Sequence, residues 1–234
     1  MNPFRRSVPC VTSALAVAAL IATAKAASPD ADRPTNAPQS LVLFDGKSLA
    51  GWKETDFFSP GGVEVRDGAI VLKIGRPMTG ITSTRQDLLR TDYELSYEAQ
   101  RLEGIDFFAA ATFPVGSSYV TLVNGGWGGN ITGISSIDGA DASENATGTS
   151  VTYKNGTWYR FRVRVTAAAL RVWVDDKKVI DVDIRDSQLR TRIETRANEP
   201  LGFATWESAG AIRKVEMRTL TPAEVAEVNS TTSP

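Results

Sequence analysis

Strict alternation of apolar and polar residues over short stretches is the feature that most constrains the fold of this chain. In Tyr93–Gln100 the residues Tyr, Leu, Tyr and Ala alternate with Glu, Ser, Glu and Gln, and Trp158–Val165 alternates as sharply. Successive side chains of a β-strand point to opposite faces, so each stretch predicts a strand with one buried and one polar face. No stretch between Leu41 and Leu220 has the pattern of a long amphipathic helix, and Gly, Pro, Asn and Asp separate the strands. We therefore predict an all-β fold, an antiparallel sandwich or barrel.

One short helix is expected after the last strand. Thr221 suits the N-cap, Pro222 suits the first helical position, and Glu224 and Glu227 place acids in the first turns. Residues 221–234 are therefore predicted to form a short helix and a disordered tail that frays from Asn229.

The N-terminus has the pattern of a secretory signal peptide. Arg5 and Arg6 precede the apolar segment 11–24, and Ala26 closes a small-x-small cleavage site. Because the apolar segment is short for a bilayer, we expect cleavage after residue 26 and no membrane span afterwards, with an uncleaved anchor as the alternative. Residues 27–40 are rich in Pro, Ala, Asp and Asn and are predicted to be a linker.

The totals favour one secreted or periplasmic bacterial domain over residues 41–220. The only cysteine, Cys10, lies in the predicted signal peptide, so the exported protein would contain no disulfide. The net charge of −1 gives no electrostatic reason to expect nucleic acid as a partner. Histidine is absent, which removes the commonest general base and the usual zinc ligand. Chemistry would depend on carboxylates, tyrosine, lysine, arginine or a bound metal.

The stretch 104–145 is the strongest candidate for a functional face. It sets Asp106 beside the apolar run 107–113, places Asn124 and Trp127 in or beside a glycine-rich segment, and ends in an acidic loop. Oxygens of that loop could hold a divalent cation such as calcium, although their spacing is no recognised calcium loop. The candidate metal ligands are Asp138, Asp141, Glu144 and Asn145. Ordinary β-connections have the same composition, and Asp106 could equally cap a turn.

The opening of the predicted domain resembles a known family. Leu43–Trp52 reads LFDGKSLAGW and resembles the "LFDGKsLdGW" opening of the 3-keto-disaccharide hydrolase family. Val65–Ile70, Tyr93–Glu98 and Leu201–Leu220 resemble further strands of that family, so the match covers nearly all of residues 41–220. The resemblance implies a concanavalin-like jelly roll that holds a 3-keto-glycoside on its concave sheet.

The chain departs from the family pattern near its end. Where the family has "LQDHG", an ungapped comparison places Ala204 at the Gln and Trp206 at the His. The family histidine is therefore missing. This leaves open a divergent enzyme or a non-catalytic carbohydrate-binding module on the same fold.

The resemblance implies cleavage through a ketone at C3 of the sugar. The ketone acidifies the C2 hydrogen, a base removes it, and the C1 oxygen leaves by β-elimination. Without histidine, we predict Asp106 as the base, with its pKa raised by its apolar surroundings, and Glu98 as the acid or second carboxylate. Asn124 would donate to the enolate oxygen and Trp127 would stack on the ring. We expect Glu98 and Asp106 to lie close together in one pocket.

The binding-module hypothesis uses other side chains. Trp127, Trp206 and Tyr119 would be its stacking residues, and Glu207 is a further candidate for substrate binding. Core packing is the alternative for Trp206, because it follows an apolar strand. A protein-interaction domain is a third hypothesis, for which the sequence has no specific feature.

Overall fold

The computed structural model describes residues 39–230, which form a sandwich of two antiparallel sheets. The fifteen strands of this part of the chain are β1 Ser40–Val42, β2 Trp52–Glu54, β3 Val63–Arg66, β4 Ala69–Leu72, β5 Met78–Ser83, β6 Tyr93–Glu103, β7 Ala110–Val115, β8 Ser118–Gly126, β9 Ile131–Ser135, β10 Thr149–Ser150, β11 Tyr159–Val165, β12 Ala169–Val174, β13 Lys177–Asp183, β14 Gly202–Trp206 and β15 Ala209–Thr219. Arg196–Asn198 is a 3₁₀ turn and α1 is Pro222–Asn229.

The strands are divided between two sheets. Sheet A has the order β13-β12-β11-β6-β15-β4-β3, with β1 also paired to β15, and sheet B has the order β10-β9-β8-β7-β14-β5-β2. The strand pairs of both sheets are antiparallel. This architecture confirms the predicted all-β, two-sheet jelly roll.

The core lies between the inner faces of the two sheets. The Tyr97 ring stacks on Phe161 at a centroid distance of 5.0 Å and meets the edge of Phe203, from sheet B, at 4.9 Å. Tyr93 and Leu95 are buried on the same face of β6. The alternation in the sequence therefore identified the buried face of β6 correctly.

The helix α1 confirms the predicted C-terminal element. Thr221 and Glu224 form a reciprocal capping box, and Pro222 occupies the first helical turn. Glu224 binds Arg164 and Arg218 on the outer face of sheet A, at 2.9 and 2.7 Å. The Asn229 side chain at the end of α1 accepts a 2.7 Å hydrogen bond from the Thr166 hydroxyl, and the expectation that the tail frays from this residue stays a prediction.

The described part of the chain begins within the predicted linker. Ser40 already pairs with Arg218 in β1, so sheet structure starts one residue before the predicted boundary at 41. The predicted signal peptide, most of the linker and residues 231–234 lie outside the described residues, and those assignments stay predictions. Within residues 39–230, no helix has the length and apolar composition needed to cross a membrane.

Candidate functional site

A cavity of about 240 Å³ opens on the outer face of sheet B, the face turned away from sheet A. It is lined by Asp106, Phe107, Thr121, Val123, Trp127, Ser135, Arg192, Glu194, Thr195 and Trp206. Its volume lies just under the range of about 300–1,000 Å³ that is usual for pockets holding drug-sized ligands. The cavity is therefore suited to one small ring and a substituent.

Strand alternation supplies the floor of the cavity. Thr121 and Val123 of β8 point outward, because Leu122 between them is buried in the core. Thr121 pairs with Thr112 on one side and with Ser135 on the other, which makes a row of hydroxyl groups across three strands. Thr121 is only 1% exposed, so this row lies at the bottom of the cavity.

A stretch of chain without strand structure crosses the outer face of sheet B and closes one side. We call residues 192–198 the crossing segment. The hydroxyls of Thr195 and Thr121 lie 3.0 Å apart, and Asn198 Nδ2 donates to Thr55 Oγ1 at 2.9 Å. The Thr82 hydroxyl donates to the carbonyl of Ala197 at 3.1 Å. Side-chain hydrogen bonds to the sheet thus fix the position of this wall.

The crossing segment carries an ion pair into the cavity wall. Arg192 donates from Nε and Nη2 to the two carboxylate oxygens of Glu194, at 3.2 and 2.9 Å, and from Nη1 to Asp141 at 2.5 Å. Burial raises the pKa of Glu194, but the hydrogen bond and charge of Arg192 outweigh burial and hold that pKa below its ordinary value. Glu194 is therefore anionic at neutral pH, and Arg192 retains N–H groups for a ligand. We call this part of the wall the ion-pair side.

Three aromatic rings form the wall of the cavity opposite the ion-pair side. The backbone N–H of Trp206 donates to Phe107 O at 3.0 Å, and their rings lie 6.1 Å apart at an interplanar angle of 50°. Trp127 sits in the turn after β8 at a φ of +51° and is 43% exposed. We call the wall formed by Phe107, Trp127 and Trp206, with Asp106 beside them, the aromatic side.

Asp106 joins the aromatic side to the glycine-rich turn. Its Oδ1 accepts the N–H of Phe107 at 2.8 Å, its Oδ2 accepts the N–H of Gly128 at 2.9 Å, and its own N–H donates to the Ser208 hydroxyl at 3.0 Å. The carboxylate also lines the cavity. Asp106 therefore caps the turn, as the alternative reading of the sequence proposed, and at the same time faces the space where a ligand would bind.

A buried arginine supports Asp106 from behind. Arg101 is 6% exposed and donates to the carbonyls of Ile105, Asp106 and Tyr153 and to Asn155 Oδ1, at distances of 2.6–3.3 Å. Burial lowers the pKa of its guanidinium, and the negative charge of Asp106 opposes that shift. Arg101 thus connects the loop that carries Asp106 to the core.

Comparison with known proteins identifies the family. Residues 39–218 match the family described as the 3-keto-alpha-glucoside-1,2-lyase-like domain. The chain belongs to this family. The match confirms the resemblance drawn from the sequence and makes the chain a carbohydrate-related jelly-roll protein. None of the curated proteins compared with the sequence matches it.

Solved structures are similar to this lyase-like domain at low sequence identity. The Crh5 transglycosylase is 12% identical with a TM-score of 0.53, over 78% of this chain and 84% of that chain. The carbohydrate-binding module CBM66 from Bacillus subtilis is 14% identical with a TM-score of 0.48, over 71% and 94%. Domain 4 of the arabinanase AbnA from Geobacillus stearothermophilus is 17% identical with a TM-score of 0.48, over 76% and 88%. The likeness to the transglycosylase shows a shared fold only.

The lyase-like domain does not bring Glu98 and Asp106 together, so the predicted pair of carboxylates in one pocket was wrong. Glu98 lies on the outer face of sheet A, where Arg213 and Lys214 each bind it at 2.7 Å. It lines a separate depression with Trp158, whereas Asp106 lines the cavity on sheet B. Burial raises the pKa of Glu98, but its two cationic partners outweigh burial and lower it overall.

Asn124 also differs from its predicted position. Its neighbour Val123 faces the cavity, so Asn124 points into the core opposite Thr132. It is 0% exposed, and neither polar atom of its side chain has a hydrogen-bond partner among residues 39–230. Asn124 therefore does not line the site as a donor to substrate in this lyase-like domain.

Two further candidates lie outside the cavity lining. The Tyr119 hydroxyl accepts from Arg90 Nη1 at 2.9 Å, and the guanidinium covers its ring at 4.7 Å. Glu207 is exposed, and its backbone N–H donates to Pro77 O at 2.7 Å. Of the predicted stacking residues, the lyase-like domain brings only Trp127 and Trp206 together.

The four predicted metal ligands do not converge on a common point. Asp138 Oδ1 accepts the N–H of Gln188 at 2.7 Å, Asp141 binds Arg192, and Asn145 Oδ1 accepts the N–H of Thr147 at 2.9 Å. Glu144 reaches back to the N–H of Asp141 at 3.4 Å. Across residues 39–230, no group of three or more His, Cys, Asp or Glu residues is arranged to hold a metal ion. These side chains fasten the loop and position Arg192.

Sequence reasoning missed Arg192, Glu194 and Thr195. They lie in an irregular stretch whose place over sheet B depends on hydrogen bonds to residues distant in sequence. The acid–base pattern of Arg192 and Glu194 was visible, but such a pair is usually a solvated surface feature.

Proposed function

We propose that this protein binds the sugar ring of a 3-keto-glycoside in the cavity on sheet B and cleaves its glycosidic bond by β-elimination. The observation that carries the proposal is the composition of this one cavity. A carboxylate, Asp106, stands among three aromatic rings, and a cation, Arg192, stands on the opposite wall. Membership of the 3-keto-alpha-glucoside-1,2-lyase-like family supports the choice of substrate.

The ring would lie with its hydroxyl groups toward the floor. Thr121, Ser135 and Thr195 offer hydroxyl donors and acceptors at that depth. An apolar face of the sugar would pack against the aromatic side. The C3 ketone would face Arg192, whose remaining N–H groups stabilise the oxygen as it gains negative charge.

The chemistry requires one proton transfer and one bond cleavage. Asp106 takes the proton from C2, and the C–H electron pair forms a C2=C3 double bond while the C3 oxygen becomes an enolate. The ketone then re-forms, the pair moves to C1=C2, and the C1–O bond breaks with its electrons on the leaving oxygen. Protonated Asp106 returns the proton to that oxygen. The products are an alcohol and an unsaturated 3-keto sugar, to which water adds across C1=C2 to complete a hydrolysis.

One carboxylate suffices for this sequence, because it acts first as base and then as acid. Each oxygen of Asp106 accepts one backbone N–H and keeps a lone pair for the proton. The distant position of Glu98 is therefore compatible with the proposal. Export through the predicted signal peptide would place the activity in the periplasm or outside the cell.

Binding of a carbohydrate without cleavage is the second candidate. It is favoured by the hydrogen bonds that occupy Asp106 and by the tryptophan where the family pattern has histidine. In that case the same aromatic side would hold a sugar that does not react.

The test compares the wild-type protein with Asp106→Asn on a set of 3-keto-glycosides. Release of the alcohol measures the whole reaction, and exchange of the C2 hydrogen with deuterated water measures proton removal alone. We expect both in the wild type and a loss of about 100-fold or more in the variant, because general acid–base groups typically contribute that much. Asp176→Asn, which makes the same change at an exposed residue on sheet A, is the matched control.

Each outcome has a distinct meaning. Exchange and release that both survive in Asp106→Asn would remove Asp106 as the base. If the wild type gives neither but binds the glycosides in calorimetry, the binding candidate replaces the enzyme.

A further inference from the structure

We infer that the protein prefers 3-keto-glycosides whose leaving group is a planar apolar ring rather than a second sugar, and that Trp127 and Trp206 bind this group. The inference rests on the proposed function, which it deepens. It follows from the direction in which the leaving group must extend out of the cavity and from the side chains that line the cavity in that direction.

The position of the base fixes that direction. Asp106, the base for C2, stands on the aromatic side of the cavity, whereas Arg192 stands on the ion-pair side. C1 and C3 are the two neighbours of C2 in the ring. If the C3 ketone faces Arg192, the leaving group on C1 emerges past Asp106 and along the aromatic side.

The aromatic side offers a leaving group apolar surface and few hydrogen-bond partners. Its polar groups are the indole N–H groups of Trp127 and Trp206 and the carboxylate of Asp106, whose oxygens each accept one backbone N–H and use their remaining lone pairs for the C2 proton. A sugar leaving group carries hydroxyls around its whole edge. Most hydroxyls pressed against these rings would lose water without gaining a partner.

The arrangement of the rings suits a flat aromatic ligand. Phe107 and Trp206 meet at 50°, so they form a corner rather than a single platform. A sugar has an apolar face but a polar edge, and in such a corner both the face and the edge would lie against an aromatic ring. An aromatic ring can present its face to one wall and its edge to the other, which are the arrangements that aromatic pairs favour.

The backbone that carries Trp127 is held in a tight turn. The residue has a φ of +51°, in the left-handed region that residues other than glycine seldom adopt. The turn is closed by a 3.2 Å hydrogen bond from Gly129 N to Gly126 O and by the bond from Gly128 N to Asp106. The Asp106 carboxylate therefore holds the turn that carries Trp127 and is also the proposed base. A group bound at Trp127 would lie next to that base.

The experiment uses two 3-keto-glucosides that release primary alcohols, one 2-phenylethyl and one 2-hydroxyethyl. Because the breaking bond is an alkyl ether oxygen in both, the leaving abilities are matched and the difference reports the binding of the group. We expect kcat/KM for the phenylethyl substrate to be about tenfold higher, as an aromatic contact of about 1.4 kcal/mol gives. Trp127→Ala should remove most of that preference, and Trp127→Phe should retain part of it.

Trp158→Ala is the matched control. Trp158 lies on sheet A beneath Arg213, 4.0 Å from its guanidinium, so the same truncation there should leave the ratio of the two substrates unchanged. Equal kcat/KM for the two substrates, or an equal fall for both in Trp127→Ala, would overturn the inference and leave the proposed function standing. Failure of the wild type to cleave either substrate would overturn the proposed function itself.

Discussion

Arg101 shows how much one buried side chain can organise around a site. Its guanidinium has hydrogen-bond partners in two separate stretches, Ile105 and Asp106 in one and Tyr153 and Asn155 in the other, and these hydrogen bonds go to neutral oxygens. Burial lowers the pKa of this guanidinium, and the nearby negative charge of Asp106 opposes part of that shift through space. This arrangement depends on the planar shape of the guanidinium, which lysine does not share.

We predict that Arg101→Lys lowers the free energy of unfolding by about 2–4 kcal/mol, because lysine would leave buried carbonyls without donors. Urea unfolding measures the difference. Arg160→Lys is the matched control, since Arg160 pairs with Asp176 on the surface and the same change there should cost under about 0.5 kcal/mol. Equal effects at the two positions would show that the buried hydrogen bonds of Arg101 contribute little.

The alternation of side chains along β8 and β6 already indicated in which direction two candidate site residues point. Leu122 and Asn124 have the same parity in β8, so Asn124 could have been assigned to the core from the sequence. Glu98 likewise shares the polar face of β6 with Glu94. What alternation does not tell is which sheet Asp106 faces, because that depends on long-range strand pairing.

At the scale of elements, the turn after β8 decides how the aromatic side is built. Gly128 and Gly129 both have positive φ, at +84° and +116°, but their surroundings differ. A methyl group on Gly128 would meet nothing within 4 Å, whereas one on Gly129 would lie 2.4 Å from Ile105 O. The second glycine is therefore required both by its conformation and by the close approach of the loop that carries Asp106.

We predict that Gly128→Ala costs about 1–2 kcal/mol of unfolding free energy, as expected for a left-handed alanine. Gly129→Ala should cost at least about 2 kcal/mol more, because the loop must move. It should also lower kcat/KM, since the displaced loop carries Asp106. Thermal melts and the release assay on both variants check this, and similar losses in the two would contradict the steric explanation.

For the molecule as a whole, arginine–carboxylate pairs decide the response to acid. The hydrogen bond from Arg218 is the largest effect on the Glu224 carboxyl and lowers its pKa to about 2. Cationic partners also outweigh the opposing effect of burial on Glu98 and Glu194 and hold their pKa values below the ordinary range. A carboxyl whose pKa is lower in the folded chain stabilises the fold above its unfolded pKa and loses that effect as the pH falls. Histidine is absent, so no side chain of that type changes charge near neutrality.

We therefore predict a free energy of unfolding that is flat between about pH 6 and 8 and falls from about pH 4.5 toward pH 2. Glu224→Gln should be less stable than the wild type at pH 7, and this difference should shrink as the pH falls and be nearly lost at about pH 2, where Glu224 becomes protonated in the folded chain as well. Denaturant unfolding across the pH range tests the prediction, with the exposed Glu54→Gln as control. A difference that persists unchanged at pH 2 would assign the effect to packing.

The overall architecture followed from periodicity and turn residues, whereas the shape of the cavity did not. The alternating strands and the capped helix depend on local pattern, which a sequence displays directly. The crossing segment has no such pattern, and its place over sheet B is fixed by pairs such as Thr121 with Thr195 and Thr55 with Asn198. These contacts exist only after the sandwich has formed.

The crossing segment also limits the shape of the space above sheet B. Residues 192–198 lie across the outer face of that sheet and are held there by hydrogen bonds to Thr55, Thr82 and Thr121. Under the proposed function, a bound ligand would meet a wall on this side of the cavity and could extend only in other directions. A shortened segment would therefore be expected to admit longer ligands, with the sandwich beneath it unaltered.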